Sequence, residues 1–332
     1  MTPRIKRAIG LGLIAAGFVA GYVVWQKGAA AEVKTESIFA KGVFEIPYAS
    51  TRGDVEDGEL LAGRTRYEYK LNGSIPGLSP GVPPAADILI VVHGLNNTPT
   101  KAVNRFGLAR ESLQHDGYRG VVIGFSWDGS TNWDPYGATG YRKAKHNAIA
   151  NGTKLAQFVA DLQKANPGAS IRLLGYSMGA RLAVEAIYAL DQDPRFARSA
   201  VRVATAHLVG AAIDDEALQT DHRYGPAIAR RCLRFFNYYS PVDSKLGKYF
   251  PAMEMHRALG RRDLEHPDLA PANYASRDVS VELKETDAKG DVDPKGATGG
   301  NHSAYLGIRN NAGVWRDDGA MNVVAGDIAK NP

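Results

Sequence analysis

The run Ile88-Leu89-Ile90-Val91-Val92 has no polar position, and four of its five residues are β-branched. A strand with one wet face alternates polar and apolar residues. A strand with no polar register must be covered on both faces, as in a parallel sheet flanked by helices. Further strand-like runs follow as VVIGFSW at 121–127, SIRLLGY at 170–176, VRVATAHLVG at 201–210, CLRFFNYYS at 232–240 and VSVELKE at 279–285. Between them, the spacing of apolar residues predicts helices over 101–115, 144–166 (closed by Pro167-Gly168), 179–190 and, at the C-terminus, 319–329. Strands alternating with helices imply right-handed crossovers and a single α/β domain built on one sheet. Ahead of this unit, residues 42–70 hold strand-like pieces among Gly and acidic turns, predicting an antiparallel hairpin or edge strands. NGSIPGLSPGVPP at 72–84 is rich in Pro and Gly and predicts a surface loop.

The N-terminus has a different character. Arg4, Lys6 and Arg7 precede an uncharged run over 8–25 that ends in Trp25 and contains Gly17-x-x-x-Gly21, followed by the small-residue stretch Gly28-Ala29-Ala30-Ala31. The length sits at the lower edge of what spans a bilayer, and the flanks also suit a cleavable signal. The reading is a membrane anchor or signal over 1–31, a polar tether over 32–41 and a catalytic domain over 42–332. Positive charge before the span places the domain outside the cytoplasm, at the inner membrane or exported after cleavage. Net charge is +5, of which those three basic residues supply three, so the remaining body is nearly neutral and a nucleic-acid partner is not expected. Arg230, Arg231 and Arg234 read as a solvated face. The lone Cys232, read as a buried strand residue, excludes an internal disulfide and a multi-cysteine zinc site.

Gly175-x-Ser177-x-Gly179 falls at the junction of the third buried run and its helix. Three fixed residues alone are a common coincidence, but this context is that of a nucleophile elbow. There, a strand turns so sharply into a helix that only small flanking residues fit, leaving the serine at the helix N-terminus. Such a serine needs a base to take its proton and an acid to orient that base, in the chain order Ser, Asp or Glu, His. The order removes His93, His115 and His146. Of the five later histidines, His207 lies mid-strand, and His222, His256 and His266 lie in polar or helical stretches. His302, in the Gly-rich loop ATGGNHSAY after the last run, is the candidate base. Asp243, in SPVD after the fifth run, is the candidate acid, with Asp214 and Asp215 as alternatives or helix caps. The amides of Met178, after the nucleophile, and Leu95, in the loop His93-Gly94-Leu95, are the candidate oxyanion donors. His93 reads as a pin for that loop. Asp291 and Asp293 do not complete a calcium loop. Trp127, Trp133, Tyr136 and Tyr141 could wall a pocket or pack within the loop, and residues 247–269 could form a partial cap.

VVHGLNNT, FSWDG, GYSMGAR, SPVD and GGNHS together resemble the α/β-hydrolase superfamily, in a bacterial, esterase/lipase-like branch of serine hydrolases, over about residue 43 to the C-terminus. The resemblance implies an eight-stranded, mostly parallel sheet with helices on both faces, no cofactor, and hydrolysis through an acyl-enzyme. Ser177, Asp243 and His302 match its triad, and Leu95 and Met178 its oxyanion hole. No HGGG run follows the first strand, which counts against the short-acyl branch carrying that motif. Ser in place of Asp as nucleophile counts against epoxide-hydrolase and dehalogenase chemistry. The expected activity is carboxylic-ester hydrolysis on a small-molecule or lipid-like acyl substrate. The alternatives are a lipase, thioesterase or amidase on envelope material, or a catalytically silent binding module.

Overall fold

The apolar run at 88–92 becomes the middle of an eight-stranded sheet in the computed structural model, which describes residues 44–130, 138–286, 292–297, 301–310 and 312–332. The strands are β1 (Tyr48–Ser50), β2 (Lys70–Asn72), β3 (Asp87–Val92), β4 (Val121–Ser126), β5 (Ser170–Tyr176), β6 (Val203–Val209), β7 (Cys232–Tyr239) and β8 (Tyr274–Asp278). Their order in space is β8-β7-β6-β5-β3-β4-β1-β2. Every neighbouring pair is parallel except β1 with β2, the antiparallel edge that the opening residues suggested.

Among the described residues six α-helices accompany the sheet: α1 (Pro99–His115), α2 (Ala138–Ala165), α3 (Met178–Gln192), α4 (Gly225–Arg231), α5 (Ser244–Glu254) and α6 (Met321–Ala329). The absence of alternation in β3 now has its cause. Ile88, Ile90 and Val92 join a core beneath α2 and α3, whereas Leu89 and Val91 join a second core beneath α1 and α6. Successive side chains point to opposite faces, and both faces are covered. The carboxyl ends of β3, β5, β6 and β7 therefore share one edge of the sheet, where the loops after each strand converge.

Several boundaries differ from expectation. Helix α2 begins at Ala138 rather than near 144, and α4 and α5 are short helices that no long apolar period announced. The parallel strand that follows β7 is Tyr274–Asp278, not VSVELKE. Val279 and Leu283 are fully buried while Val281 is 75% exposed, and the Leu283 amide turns back to the Val279 carbonyl at 3.3 Å. The apparent alternation is thus a turn that buries positions four apart, and only Lys284–Thr286 extends, pairing with Val292–Ala297. The actual edge strand, YASRD, is half-buried and carries two charges, so it lacks the apolar signature of its neighbours. Residues 1–31 and 32–41 lie outside the described residues, and among the described residues no helix is long and apolar enough to cross a membrane.

This correction is testable. Val281→Asp should alter the unfolding free energy by no more than about 0.5 kcal/mol. Val279→Asp, which places a carboxylate in the core, should cost on the order of 3 kcal/mol. Urea denaturation compares the two, and equally large losses would restore the strand reading.

Candidate active site

A single residue separates β5 from α3, and that residue is Ser177, with φ 56° and ψ −121°. A side-chain-bearing residue at positive φ costs roughly 1–3 kcal/mol and persists only where its surroundings hold it. Here the Ser177 amide donates to the Val209 carbonyl at 3.1 Å, and its carbonyl accepts from Ala180 at 3.0 Å and Ala212 at 3.1 Å. Close packing completes the restraint. A Cβ on Gly179 would lie 2.4 Å from the carbonyl oxygens of both Val92 and His93, and one on Gly175 would lie 2.7 Å from the Ala180 Cα. The motif glycines give clearance for helix against strand. The Ser177 hydroxyl caps nothing on α3 and is left to its other neighbour.

That neighbour is His302, whose Nε2 lies 3.0 Å from Ser177 Oγ. His302 Nδ1 lies 2.6 Å from Asp243 Oδ2. Asp243 can only accept there, so Nδ1 carries the proton and Nε2 presents its lone pair to the serine hydroxyl. Asp243 is fully buried and is also the N-cap of α5, its Oδ1 accepting from the Lys245 and Leu246 amides at 3.0 Å each. One carboxylate oxygen holds a helix and the other holds the imidazole. His302 itself opens a short turn (His302–Ala304) and is 6% exposed.

Met178 is the first residue of α3, so its amide is among the donors that a helix N-terminus leaves without an intrahelical acceptor. Leu95 is brought beside Ser177 by Gly94, where a Cβ would lie 2.9 Å from the Ser177 Cβ. The Leu95 loop is pinned by His93, as its sequence position suggested, and by Arg52 and Asn97, which no local motif revealed. Asn97 Nδ2 donates to the Gly94 and Leu95 carbonyls at 3.0 Å each. Arg52 donates to the Asn97 carbonyl and to Ser126 Oγ, both at 2.7 Å. His93 Nε2 accepts from the Trp127 amide at 3.1 Å, so Nδ1–H donates to the Gly94 carbonyl at 2.8 Å. Burial first, then the Arg52 charge, pushes the His93 pKa down to about 3. His93 is therefore a neutral pin. Trp127 is fully buried, stacks on His93 and donates to its carbonyl at 2.8 Å, so it packs within the loop.

The other candidates lie elsewhere. Asp215 is buried and accepts from Arg257 at 2.8 Å, and Asp214 Oδ1 sits 4.0 Å from Arg181. Asp243, not either of these, bonds His302. His207 is fully buried between Tyr238 Oη at 2.9 Å and Thr205 Oγ1 at 2.8 Å, its pKa lowered to about 3 by burial and then Arg172. His256 and His266 are exposed, and His222 is half-buried. Trp133, Tyr136, Asp291 and the side chain of Asp293 lie outside the described residues. Tyr141 is half-buried and donates to Glu254 at 2.9 Å. Glu254, at the far end of α5, also meets Lys145 on α2 and Arg181 on α3. Burial alone would raise its pKa, but the Arg181 and Lys145 charges outweigh that and hold it below the usual range. Among the described residues, the group with metal-ligand chemistry is His115, Asp116 and Asp318, which is separate from this site.

Two outcomes follow from the backbone strain and the buried histidines. An Ala-to-Gly change ordinarily costs roughly 0.5–1 kcal/mol. At this position the order should reverse, with Ser177→Gly more stable than Ser177→Ala by about 1 kcal/mol in urea or thermal denaturation. For His93 and His207 the folded pKa is depressed, so the unfolded chain binds the proton more tightly. The stability present above about pH 6.5 is then lost as pH falls toward about 3, at up to about 1.4 kcal/mol per pH unit for each histidine. Urea denaturation at pH 7, 6 and 5 measures this slope, which His207→Gln should flatten.

Among solved structures the chain is similar to an acetylxylan esterase, at 12% identity over 75% of this chain and 99% of that one, with a TM-score of 0.39. It is similar to a cutinase-like protein from Cryptococcus sp. at 14% identity over 74% and 93%, TM-score 0.36. The catalytic core domain of acetyl xylan esterase from Trichoderma reesei follows at 10% identity over 74% and 94%, TM-score 0.32. Likenesses this loose carry no argument about activity. No curated protein matches the chain. A family model does match, over residues 82–263 and so over more than half of the sequence, and by it the chain belongs to the family described as alpha/beta hydrolase of unknown function (DUF900).

Proposed function

We propose that the protein is a serine hydrolase acting on carboxylic esters. Ser177 Oγ attacks the acyl carbonyl as His302 Nε2 takes its proton, and Asp243 holds the imidazole in the tautomer that can do so and stabilises the imidazolium that forms. The tetrahedral oxyanion is met by the Leu95 and Met178 amides. His302 then delivers the proton to the departing alkoxide, leaving an acyl group on Ser177. Water, deprotonated by His302, attacks that acyl carbonyl, and collapse returns the carboxylic acid and free Ser177.

The observation that carries this reading is the unbroken line from Asp243 through His302 to the Oγ of a serine held at positive φ. Side chains 59 and 125 residues apart in sequence meet there with both imidazole nitrogens engaged. We further propose that residues 8–25, behind Arg4, Lys6 and Arg7, anchor or export the domain, placing acyl groups of the envelope within reach. A lipase, thioesterase or amidase would use the same site, and a panel of esters, thioesters and amides of graded acyl length separates them.

A fluorophosphonate probe should label the protein at Ser177 and leave Ser177→Ala unlabelled. Equal labelling of the two, or none of either, would sink the assignment and favour a silent binding module. Asp243→Asn keeps the α5 cap, because Asn caps as well as Asp. It should nevertheless lower turnover by roughly 10⁴-fold by imposing the wrong tautomer on His302.

A further inference from the structure

His302 is borne on a loop, so its side-chain hydrogen bonds to Ser177 and Asp243 are only as constant as the backbone beneath it. Two buried residues from regular elements grip that backbone. Tyr176, the last residue of β5 and the one before Ser177, donates its hydroxyl to the His302 carbonyl at 3.1 Å. Its ring also lies 5.4 Å from the imidazole, tilted by 34°. Arg105, on α1, donates to the next carbonyl, that of Ser303, at 3.0 Å, and its guanidinium lies 5.4 Å over the Tyr176 ring. Tyr176 is 3% exposed and Arg105 5%. Asn301 adds a local brace, its Oδ1 accepting from the Ser303 amide at 3.2 Å and its Nδ2 donating to the Lys284 carbonyl at 2.9 Å.

We infer that Tyr176 and Arg105 are positioning residues that set the distance from His302 Nε2 to Ser177 Oγ by fixing two successive carbonyls of the loop. The inference rests on the serine-hydrolase reading above. Tyr176 and Ser177 share a peptide bond, so any shift of the nucleophile carries with it the hydroxyl that anchors the base. The nucleophile and its base are thus referenced to one point on β5, whatever the rest of the loop does. Misplacement of a reacting group by about 1 Å can cost as much as 100-fold in rate. The cradle acts before any substrate arrives, so its loss should fall on kcat and leave KM alone.

The experiment compares Tyr176→Phe, which keeps the ring and its contact with Arg105 but removes the donor, with Tyr118→Phe. Tyr118 also donates a buried hydroxyl, to Asp87 at 3.0 Å, at the opposite end of the strands. Turnover of an acyl ester is measured per active site titrated by a fluorophosphonate, well below the melting temperature of each variant. Tyr176→Phe should lose between about 10- and 100-fold in kcat, with KM within about twofold. Tyr118→Phe should melt earlier and keep its kcat. Arg105→Met should repeat the kcat loss, and Arg105→Lys, which can still donate to the Ser303 carbonyl, should recover most of it. A wild-type protein that neither labels nor turns over ester overturns both readings. With wild-type labelling and turnover in hand, an undiminished kcat in Tyr176→Phe, or equal losses in Tyr176→Phe and Tyr118→Phe, overturns the positioning role alone.

Discussion

The contact on which the rest of the molecule depends is the approach of Gly179 to the carbonyl oxygens of Val92 and His93. It brings the N-terminus of α3 down onto the end of β3, so β5 must reverse into helix through one residue. Ser177 takes the strained conformation for that reason, and its hydroxyl is left facing the loops beyond the sheet. The same approach sets Gly94, and with it the Leu95 amide, beside Ser177. Two fully buried parallel strands and a pair of missing side chains thus fix the positions of three of the groups in the proposed chemistry. Burial of both strands supplies the packing that can sustain a backbone strain of roughly 1–3 kcal/mol.

The parts of this arrangement legible in sequence are those whose cause is local. A continuous apolar run marked β3, because burial on two faces forbids alternation, mainly apolar runs marked β4 to β7, and the elbow could be placed because strand and helix abut at Gly175 and Gly179. That Ser177, Asp243 and His302 could meet followed from chain order and from each lying past the end of a strand, or what read as one. The strand β8 escaped because an edge strand needs no apolar run, and VSVELKE was misread because its buried pair lies four residues apart rather than two. Arg52, Asn97, Tyr176 and Arg105 escaped for another reason. Asn97 bonds carbonyls only two and three residues back, while the other three bond partners across the fold, as far as 198 residues away for Arg105; no local period encodes either.

The polar groups of the site form two nested sets. The inner set touches the line from Asp243 to Ser177. The outer set holds backbone: Arg52, His93 and Asn97 on the Leu95 loop, and Tyr176 and Arg105 on the His302 loop. Every member of the outer set donates to a main-chain carbonyl, and buried carbonyls left without donors are costly, so each loop is held by the satisfaction of its own backbone. Neutrality of His93 is part of this, since its Nε2 can accept from Trp127 only while unprotonated.

Helix α5 joins Asp243 to the helix that follows Ser177, from outside the sheet. Its first turn hangs on Asp243, and Glu254 at its last residue meets Arg181, four residues past Ser177, together with Lys145 and Tyr141. Only Leu246 and Phe250 of its 11 residues are buried, so little apolar packing holds it between these two ends. The division of labour between the oxygens of Asp243 then makes the order of this short helix and the orientation of His302 a single cooperative unit. Fraying of α5 removes the two amides that hold Asp243 Oδ1 and leaves its carboxylate to His302 and the buried Tyr305 hydroxyl, while the sheet beneath remains intact. Heat inactivation of such a molecule would report the melting of one 11-residue helix, at a temperature below that at which the fold itself is lost.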